Sequence, residues 1–219
     1  MDGRKGTIRR YAIFTARAAV LCTILLSSAY CQSTSERERM LRAVTKSDVD
    51  KYQELLVLPE QYTTNGAYYH KKYYDYLIGI ARTLSEEQKL AIARNSIGFY
   101  FDKRENNREK LHLGLDVNIP ADAQNRGLSY EAMGMSALER HLKNIIDVLY
   151  AGTAVFGEKE IFGTVVAFRW ESGARSESIT IWIEKREMRL FEENKLTLKE
   201  LITRSPITNT AGKLIRLLL

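Results

Sequence analysis

The chain has 219 residues, of which 45% are hydrophobic and 27% are charged, and its formal net charge is +6. This balance excludes a wholly disordered chain and a fibrous repeat, because both depart strongly from ordinary globular composition. The 13 glycines and 3 prolines are too few for a linker-rich array. The length fits one domain, with or without a helical extension.

Residues 1–31 have the pattern of a secretory signal peptide. Five basic residues precede position 18, and an uncharged run follows from Ala18 to Ala29. A helix of that length spans about 18 Å, which is too short for the ~30 Å hydrocarbon core of a bilayer. A basic start, a short apolar run and small residues behind it are typical of export signals. We therefore predict that this segment directs the protein out of the cytoplasm.

Three fates of this segment stay open. Ala29 and Cys31 are small residues at the spacing that suits signal peptidase cleavage before Gln32. Cys31 also resembles the lipid-accepting cysteine of bacterial lipoproteins, although Tyr30 departs from the small residue usual before it. An uncleaved segment from Tyr11 to Cys31 would instead form a tilted membrane anchor. The protein is thus expected in the periplasm of a bacterial envelope, either soluble or attached to the membrane.

The charge and cysteine counts change once this segment is set apart. From Gln32 onward, 28 basic residues face 26 acidic ones, so the net charge is only +2. A nucleic-acid-binding surface would need a clustered basic excess, and we therefore expect no nucleic-acid partner. Both cysteines, Cys22 and Cys31, lie in the segment. A domain beginning at Gln32 would have no disulfide, no catalytic thiol and no cysteine-based zinc site.

The remaining chain divides into three parts. Residues 32–46 are polar and charged, and they predict a flexible tether, with the first turns of a helix as the alternative. Residues 47–95 predict three helices packed on the main domain, and residues 96–219 predict an α+β domain. In the second of these helices, the residues that recur at helical spacing and are assigned to its buried face are Tyr69, Tyr73, Tyr76, Leu77 and Ile80.

The α+β domain is predicted from a change in hydrophobic period. Apolar and polar residues alternate over 97–101 and 111–119, which predicts a hairpin with one wet face. A helix capped by Ser136 and a second hairpin of 161–170 and 178–184 follow. The predicted fold class is therefore α+β: N-terminal helices, an antiparallel sheet built from two hairpins with a connecting helix, and a C-terminal helix.

Three shorter segments of this domain also have predicted structures. Residues 120–134 are irregular, and a connection of this length is often functional. Residues 188–191 predict a short additional strand. The apolar tail from 211 to 219 is too short to span a membrane and predicts a terminal helix.

Signs of catalytic chemistry are sparse in this sequence. It contains no phosphate-binding loop, dinucleotide-binding glycine motif or HExxH pair. We therefore expect no metal and no organic cofactor. The residues around the irregular segment that could form an acid, base or nucleophile define an alternative function, an exported hydrolase of glycan or ester substrates. They are Ser129, Glu131, Ser136, Glu139 and His141.

Aromatic residues are the stronger candidates, because tyrosine and tryptophan combine a flat apolar face with a polar group. Tyr68 and Tyr74 lie off the buried helical stripe, and Tyr130 lies in the irregular segment. Trp182 alternates with three isoleucines, so it is expected on the outer face of the sheet. Trp170 shares a face with Phe162, Val166 and Phe168 and is assigned to the core.

These features predict a non-enzymatic binding or scaffolding protein of the cell envelope. Its partner is expected to be an envelope protein or cell-wall material, bound through exposed aromatic side chains. The membrane is a further partner through the N-terminal segment. Self-association through the N-terminal helices is a third hypothesis, and the sequence defines no oligomeric state.

The export prediction is tested by the intact mass of the chain from its own cells, separated into soluble and membrane fractions. A soluble chain that begins near Gln32 would confirm export with cleavage. A membrane-fraction chain with lipid on Cys31 would be the lipoprotein form. A membrane-fraction chain with the full-length mass would be the uncleaved anchor. A full-length chain in the cytoplasm would contradict export.

Overall fold

The computed structural model describes residues 36–62, 65–102, 107–120, 127–151, 153–173 and 175–217. The helices are α1 (36–42), α2 (Lys46–Tyr52), α3 (Gly66–Lys72), α4 (Tyr74–Arg82), α5 (Tyr130–Tyr150), α6 (Thr153–Gly157), α7 (Lys185–Glu192) and α8 (Leu198–Arg204). The strands are β1 (Ala91–Ile92), β2 (Gly98–Asp102), β3 (Asn107–Asn118), β4 (Ile161–Ser172), β5 (Arg175–Glu184), β6 (Ile207–Asn209) and β7 (Leu214–Ile215). The predicted α+β class is confirmed.

The seven strands form one mixed sheet in the order β1-β3-β4-β5-β6-β7, and β2 also pairs with β3. Both predicted hairpins, β2–β3 and β4–β5, are present and antiparallel. The prediction of one wet face for the first hairpin is wrong at the centre of β3, where His112 and Gly114 are buried. The prediction of a wholly antiparallel sheet is wrong, because β3 and β4 pair in parallel. Parallel neighbours need a long crossover, and here the chain passes through α5 and α6 before it enters β4.

One face of the sheet forms the core with α5. Ile179 and Phe168 are fully buried on that face. A Cβ atom at Gly134 would lie 3.1 Å from Ile179, and the His141 ring stacks on Phe168 with centroids 6.5 Å apart, so α5 lies close against the strands. Burial of this apolar face is the main favourable term in folding. The five residues predicted for the buried helical face are all buried: Tyr69, Tyr73, Tyr76, Leu77 and Ile80.

The helices differ from the predictions at three places. The backbone breaks at Tyr73, so the predicted second helix forms α3 and α4. The predicted third helix does not form: residues Thr83–Glu87 continue α4 as a π-helical turn, and Ala91–Ile92 pair with β3 as β1. Helix α5 begins at Tyr130 with Ser129 as its N-cap, not at Ser136, so part of the predicted irregular segment is helical. Residues 121–126 of that segment lie outside the described residues.

The segment predicted as the last strand is a helix, and the segment predicted as the last helix contains a strand. Residues 188–191 belong to α7, in which Met188 is fully buried. The tail forms β7, where Ile215 pairs with Ile207 of β6. An available sheet edge offers hydrogen bonds to a short apolar segment, which local propensity alone does not reveal. Helix α8 begins after Thr197, which forms a capping box with Glu200.

Helix α1 lies within the predicted tether, and there the helical alternative describes the structure. Leu41 is buried, and the Arg82 guanidinium donates to the carbonyl oxygens of Met40 and Ala43. The predicted export segment, residues 1–31, lies outside the described residues. Within the described ranges, no helix has both the length and the apolar character needed to cross a bilayer.

The close crossing of α1 and α4 predicts that Gly79→Ala destabilises the protein. The added Cβ would lie 1.9 Å from the Leu41 carbonyl oxygen, so α1 must shift. We expect a loss of about 1–3 kcal/mol in the free energy of unfolding, measured by denaturant titration. Gly157→Ala is the matched control, because a Cβ there meets nothing within 4 Å. Equal stability of the two variants would contradict this packing.

Candidate functional site

The four predicted binding residues lie in different environments. Tyr68 is 61% exposed on α3. Tyr74 is half-buried, and the edge of its ring meets His70 with centroids 5.7 Å apart. Burial lowers the pKa of His70, so this neighbour is neutral at physiological pH.

The other two are held by contacts within the domain. The Tyr130 hydroxyl donates to the Ser178 carbonyl at 2.6 Å, and its ring packs on Trp170. Trp182 is half-buried on the outer face of the sheet, with its ring at right angles to that of His112 at 5.3 Å. Tyr68 is therefore the only one of the four that presents most of its surface.

A second exposed aromatic residue, Phe162, was wrongly grouped with the core. Leu111 pairs with Ile161 and His112 pairs with Gly163, so Phe162 is an extra residue in β4. Such a bulge interrupts the alternation of side chains, and it leaves Phe162 36% exposed. Trp170, further along the same strand, is buried as predicted.

Lysine side chains connect these two exposed rings into one surface. The Lys72 Nζ lies 5.8 Å from the centroid of Tyr68, while the Nζ atoms of Lys110 and Lys185 lie 5.2 and 5.9 Å from that of Phe162. These distances allow cation–π attraction, worth roughly 0.5–1 kcal/mol at exposed sites. We call this group the aromatic–lysine surface: Tyr68, Lys72, Lys110, Phe162 and Lys185.

Glu158, between α6 and β4, joins the two halves of this surface. Its carboxylate accepts from Lys72 at 2.5 Å, and its carbonyl oxygen accepts from Lys185 at 3.2 Å. The Tyr73 hydroxyl donates to the same carboxylate at 2.6 Å, and the neighbouring Tyr69 hydroxyl donates to Glu160 at 2.6 Å. The buried tyrosine stripe thus positions the acidic residues beneath the lysines.

The electrostatics of this network favour fixed charges. The Lys72 and Tyr73 hydrogen bonds hold the pKa of Glu158 below its usual range, and the Tyr69 hydrogen bond does the same for the pKa of Glu160. The Glu158 carboxylate raises the pKa of Lys72. These groups keep their charges through the neutral range, which suits binding and not proton transfer.

The residues proposed for a hydrolase do not form a catalytic arrangement. Four of them line an open cavity of about 620 Å³ at the start of α5: Ser129, Glu131, Ser136 and Glu139. The Ser129 hydroxyl accepts from the Ala132 amide as the helix cap, and His141 faces Phe168 on the core side. Among the described residues, no hydrogen bond joins any two of the five candidates.

An acidic pair that the sequence does not reveal lies between α5 and α7. Asp147 accepts from Lys143 at 2.7 Å and lines a cavity of about 250 Å³ together with Arg37 of α1. Burial raises the pKa of Glu192 to about 7, and the negative charge of Asp147 adds to this effect. The two residues are far apart in sequence, so no local pattern indicates their approach.

Metal-binding chemistry is not apparent in the described ranges, where no three His, Cys, Asp or Glu residues are grouped closely enough to hold an ion. The three histidines lie on different elements: His70 on α3, His112 on β3 and His141 on α5. This finding concerns the arrangement of side chains in these residues alone.

The acidic pair predicts a pH dependence of stability. Because the pKa of Glu192 rises from an ordinary 4.5 to about 7 on folding, the folded state binds more protons at this carboxyl between these values, and its contribution to stability falls as pH rises from about 5 to 8. Allowing for solvent screening, we expect the free energy of unfolding of the wild type to decrease by about 1–2 kcal/mol relative to that of Glu192→Gln over this range. Burial lowers the pKa of His70 and His141 and so acts in the opposite direction, but equally in both proteins.

Glu193→Gln provides the control for this measurement. Glu193 is exposed and paired with Lys195, and that hydrogen bond lowers its pKa, so it titrates below the tested range. Denaturant titrations across the pH series should therefore show the wild-type decrease in this variant. Parallel profiles for Glu192→Gln and the wild type would contradict the assignment.

Comparisons with known proteins give no relative for this chain. No family model, no curated protein and no solved structure matches it. The function is therefore inferred from the residues of the aromatic–lysine surface.

Proposed function

We propose that the protein is a non-enzymatic binding domain of the cell envelope, which holds an acidic envelope protein or acidic cell-wall polymer on the aromatic–lysine surface. The observation that carries this proposal is the pair of exposed rings: Tyr68 has one lysine ammonium group within 6 Å of its centroid, and Phe162 has two. Export rests on the pattern of residues 1–31.

The exposed rings supply the apolar part of the contact. Tyr68 is 61% exposed although its neighbours Tyr69 and Tyr73 are buried and stack on each other at 6.4 Å. A large aromatic side chain on a rigid helix can bury much area on a partner at a small cost in conformational entropy. The bulge that exposes Phe162 has the same effect on β4.

The lysines supply the preference for an acidic partner. Lys72, Lys110 and Lys185 surround the rings, and Lys159 is 89% exposed next to Glu160. Cations at the rim of a contact raise the association rate with acidic partners and disfavour basic ones. Binding should therefore weaken as the salt concentration rises.

The fixed charges of the network support a binding role over an enzymatic one. Glu158 and Glu160 are held ionised by donors from Lys72, Tyr73 and Tyr69. A general acid or base would need a pKa near the working pH. The carboxylates instead hold the lysines and tyrosines in place, as a preorganised contact surface requires.

Site-specific photocrosslinking in the native cells tests this proposal. A photoreactive residue at position 162 should give a discrete crosslinked product, whereas the same residue at position 128 should not. Leu128 is a suitable control because it is 41% exposed but lies at the far end of the chain's crossover, before α5. Tyr68→Ala should reduce the product at 162 by about tenfold, as expected for a contact worth more than 1 kcal/mol, and Tyr68→Phe should preserve most of it.

Two outcomes would contradict the proposal. Equal crosslinking at positions 162 and 128 would indicate encounters without a specific surface. A product at 162 that is unchanged by Tyr68→Ala would show that the two rings do not share a partner.

A further inference from the structure

A cavity of about 440 Å³ lies beside the aromatic–lysine surface and shares Lys185 with it. We call it the arginine pocket. Its lining comes from the end of α5, from α6 and from the first turns of α7: Tyr150, Phe156, Gly157, Lys185, Arg186 and Arg189. A volume of this size is typical of small-ligand sites.

The pocket carries positive charge at Arg186 and Arg189 that no ion pair among the described residues neutralises. Arg189 lies three residues after Arg186 and four after Lys185 on α7, so its side chain neighbours both of the others on the helix surface. Arg186 and Arg189 are exposed, and within the described chain neither belongs to an ion pair. The nearby Glu193 pairs with Lys195 instead. The electrostatics of the pocket therefore favour an anion.

The side chains that line the pocket favour a phosphate group among the possible anions. Guanidinium groups bind phosphate oxygens in a bidentate manner and are only weakly hydrated, so two of them on one face suit a phosphate group. The lining also has an aromatic part, in which the Tyr150 and Phe156 rings lie 5.7 Å apart and are inclined by 28°. Such a wall offers apolar contact to the organic part of a phosphate ester.

The position of α1 indicates that the phosphate ester is a membrane lipid. Arg37, near the start of the described chain, lies close enough to Glu192 at the end of α7 for its charge to act on that carboxyl. The residues upstream of α1 include the uncharged run 18–29, which is predicted to enter a membrane. Helix α7 thus carries the pocket at one end and lies close to Arg37, at the start of the described chain, at the other.

We propose that the arginine pocket binds the phosphate headgroup of an anionic phospholipid and orients the domain on the membrane surface. Lys185 of the pocket contacts the Phe162 ring, and Glu158 accepts hydrogen bonds from both Lys185 and Lys72, so the two exposed rings adjoin the pocket. Aromatic rings are favoured at the level of lipid headgroups. The inference depends on Arg186 and Arg189, which the proposed partner contact does not require, although both sites share Lys185. Either proposal can therefore fail alone.

Vesicle flotation of the full chain tests this proposal. The probes are phosphatidylcholine vesicles with and without phosphatidylglycerol. The variants are Arg186→Gln/Arg189→Gln and a control with the same charge change, Arg175→Gln/Arg204→Gln, in which both arginines are exposed on other elements. Binding to phosphatidylcholine alone reports on the N-terminal segment and should be the same for all three proteins.

Phosphatidylglycerol should strengthen binding of the wild type and the control equally. In the pocket variant this gain should be smaller by about thirtyfold, the equivalent of about 2 kcal/mol for two cations at an anionic surface. Thermal unfolding should give the same Tm for all three, because Arg186 and Arg189 are exposed and unpaired in the described structure.

Three outcomes would overturn the proposal. An equal loss in the pocket and control variants would show that net charge alone acts. No loss in either would show that the pocket does not contact the lipid. Calorimetric binding of inorganic phosphate that depends on Arg186 and Arg189, without any such dependence on vesicles, would assign the site to a soluble phosphate compound.

Discussion

The parallel pairing of β3 with β4 is the constraint on which the rest of the structure depends. It requires a crossover that carries the chain from one end of the sheet back to the other, and α5 satisfies it while covering the apolar face. The crossover ends with Glu158 and Glu160, immediately before β4. Both acidic residues thereby meet the hydroxyl groups of α3 and its neighbour Tyr73. The pairing that organises the core also assembles the exposed surface at the start of β4.

The surroundings of two carboxyl groups in this domain shift their pKa values in opposite directions. Glu158 is surrounded by donors, so its charge is stabilised and remains constant through the neutral range. Glu192 is buried beside Asp147, so its charge is disfavoured and it titrates near neutral pH. Hydrogen bonding dominates the first case and desolvation the second. The surface around Glu158 therefore keeps its charges near neutral pH, whereas the stability of the α5–α7 junction at Glu192 varies with pH.

Periodic patterns in the sequence were sufficient for the elements whose side chains contact the core at regular intervals. The stripe of Tyr69, Tyr73 and Tyr76 and the alternation in β3 both arise from such contacts, and both were predicted. Phe162 could not be placed, because a bulge adds one residue and changes which face the side chain occupies. Tyr68 was identified because it lies off the stripe. The lysines around the rings come from three separate elements, so no local pattern brings them together.

The remaining differences arise where tertiary contacts decide between two local structures. Residues 188–191 are apolar enough for a strand, but they form α7, in which Met188 reaches the core. The tail has helical composition, but β6 provides an edge for Ile215. Asp147 and Glu192 approach each other only because α5 and α7 pack together, which sequence spacing does not show.

The docking of α1 onto α4 also limits how far the domain can stand from a membrane. If the export segment remains attached, only residues 32–35 separate it from a helix that is already part of the domain. Four fully extended residues reach at most about 14 Å, and electrostatic screening in physiological salt has a length of about 8 Å. The start of α1 in an attached domain would therefore stay within about two screening lengths of the headgroups. Such a domain would reach a lipid headgroup by rotating and not by diffusing towards the membrane, because the effective concentration of lipid around it is already high.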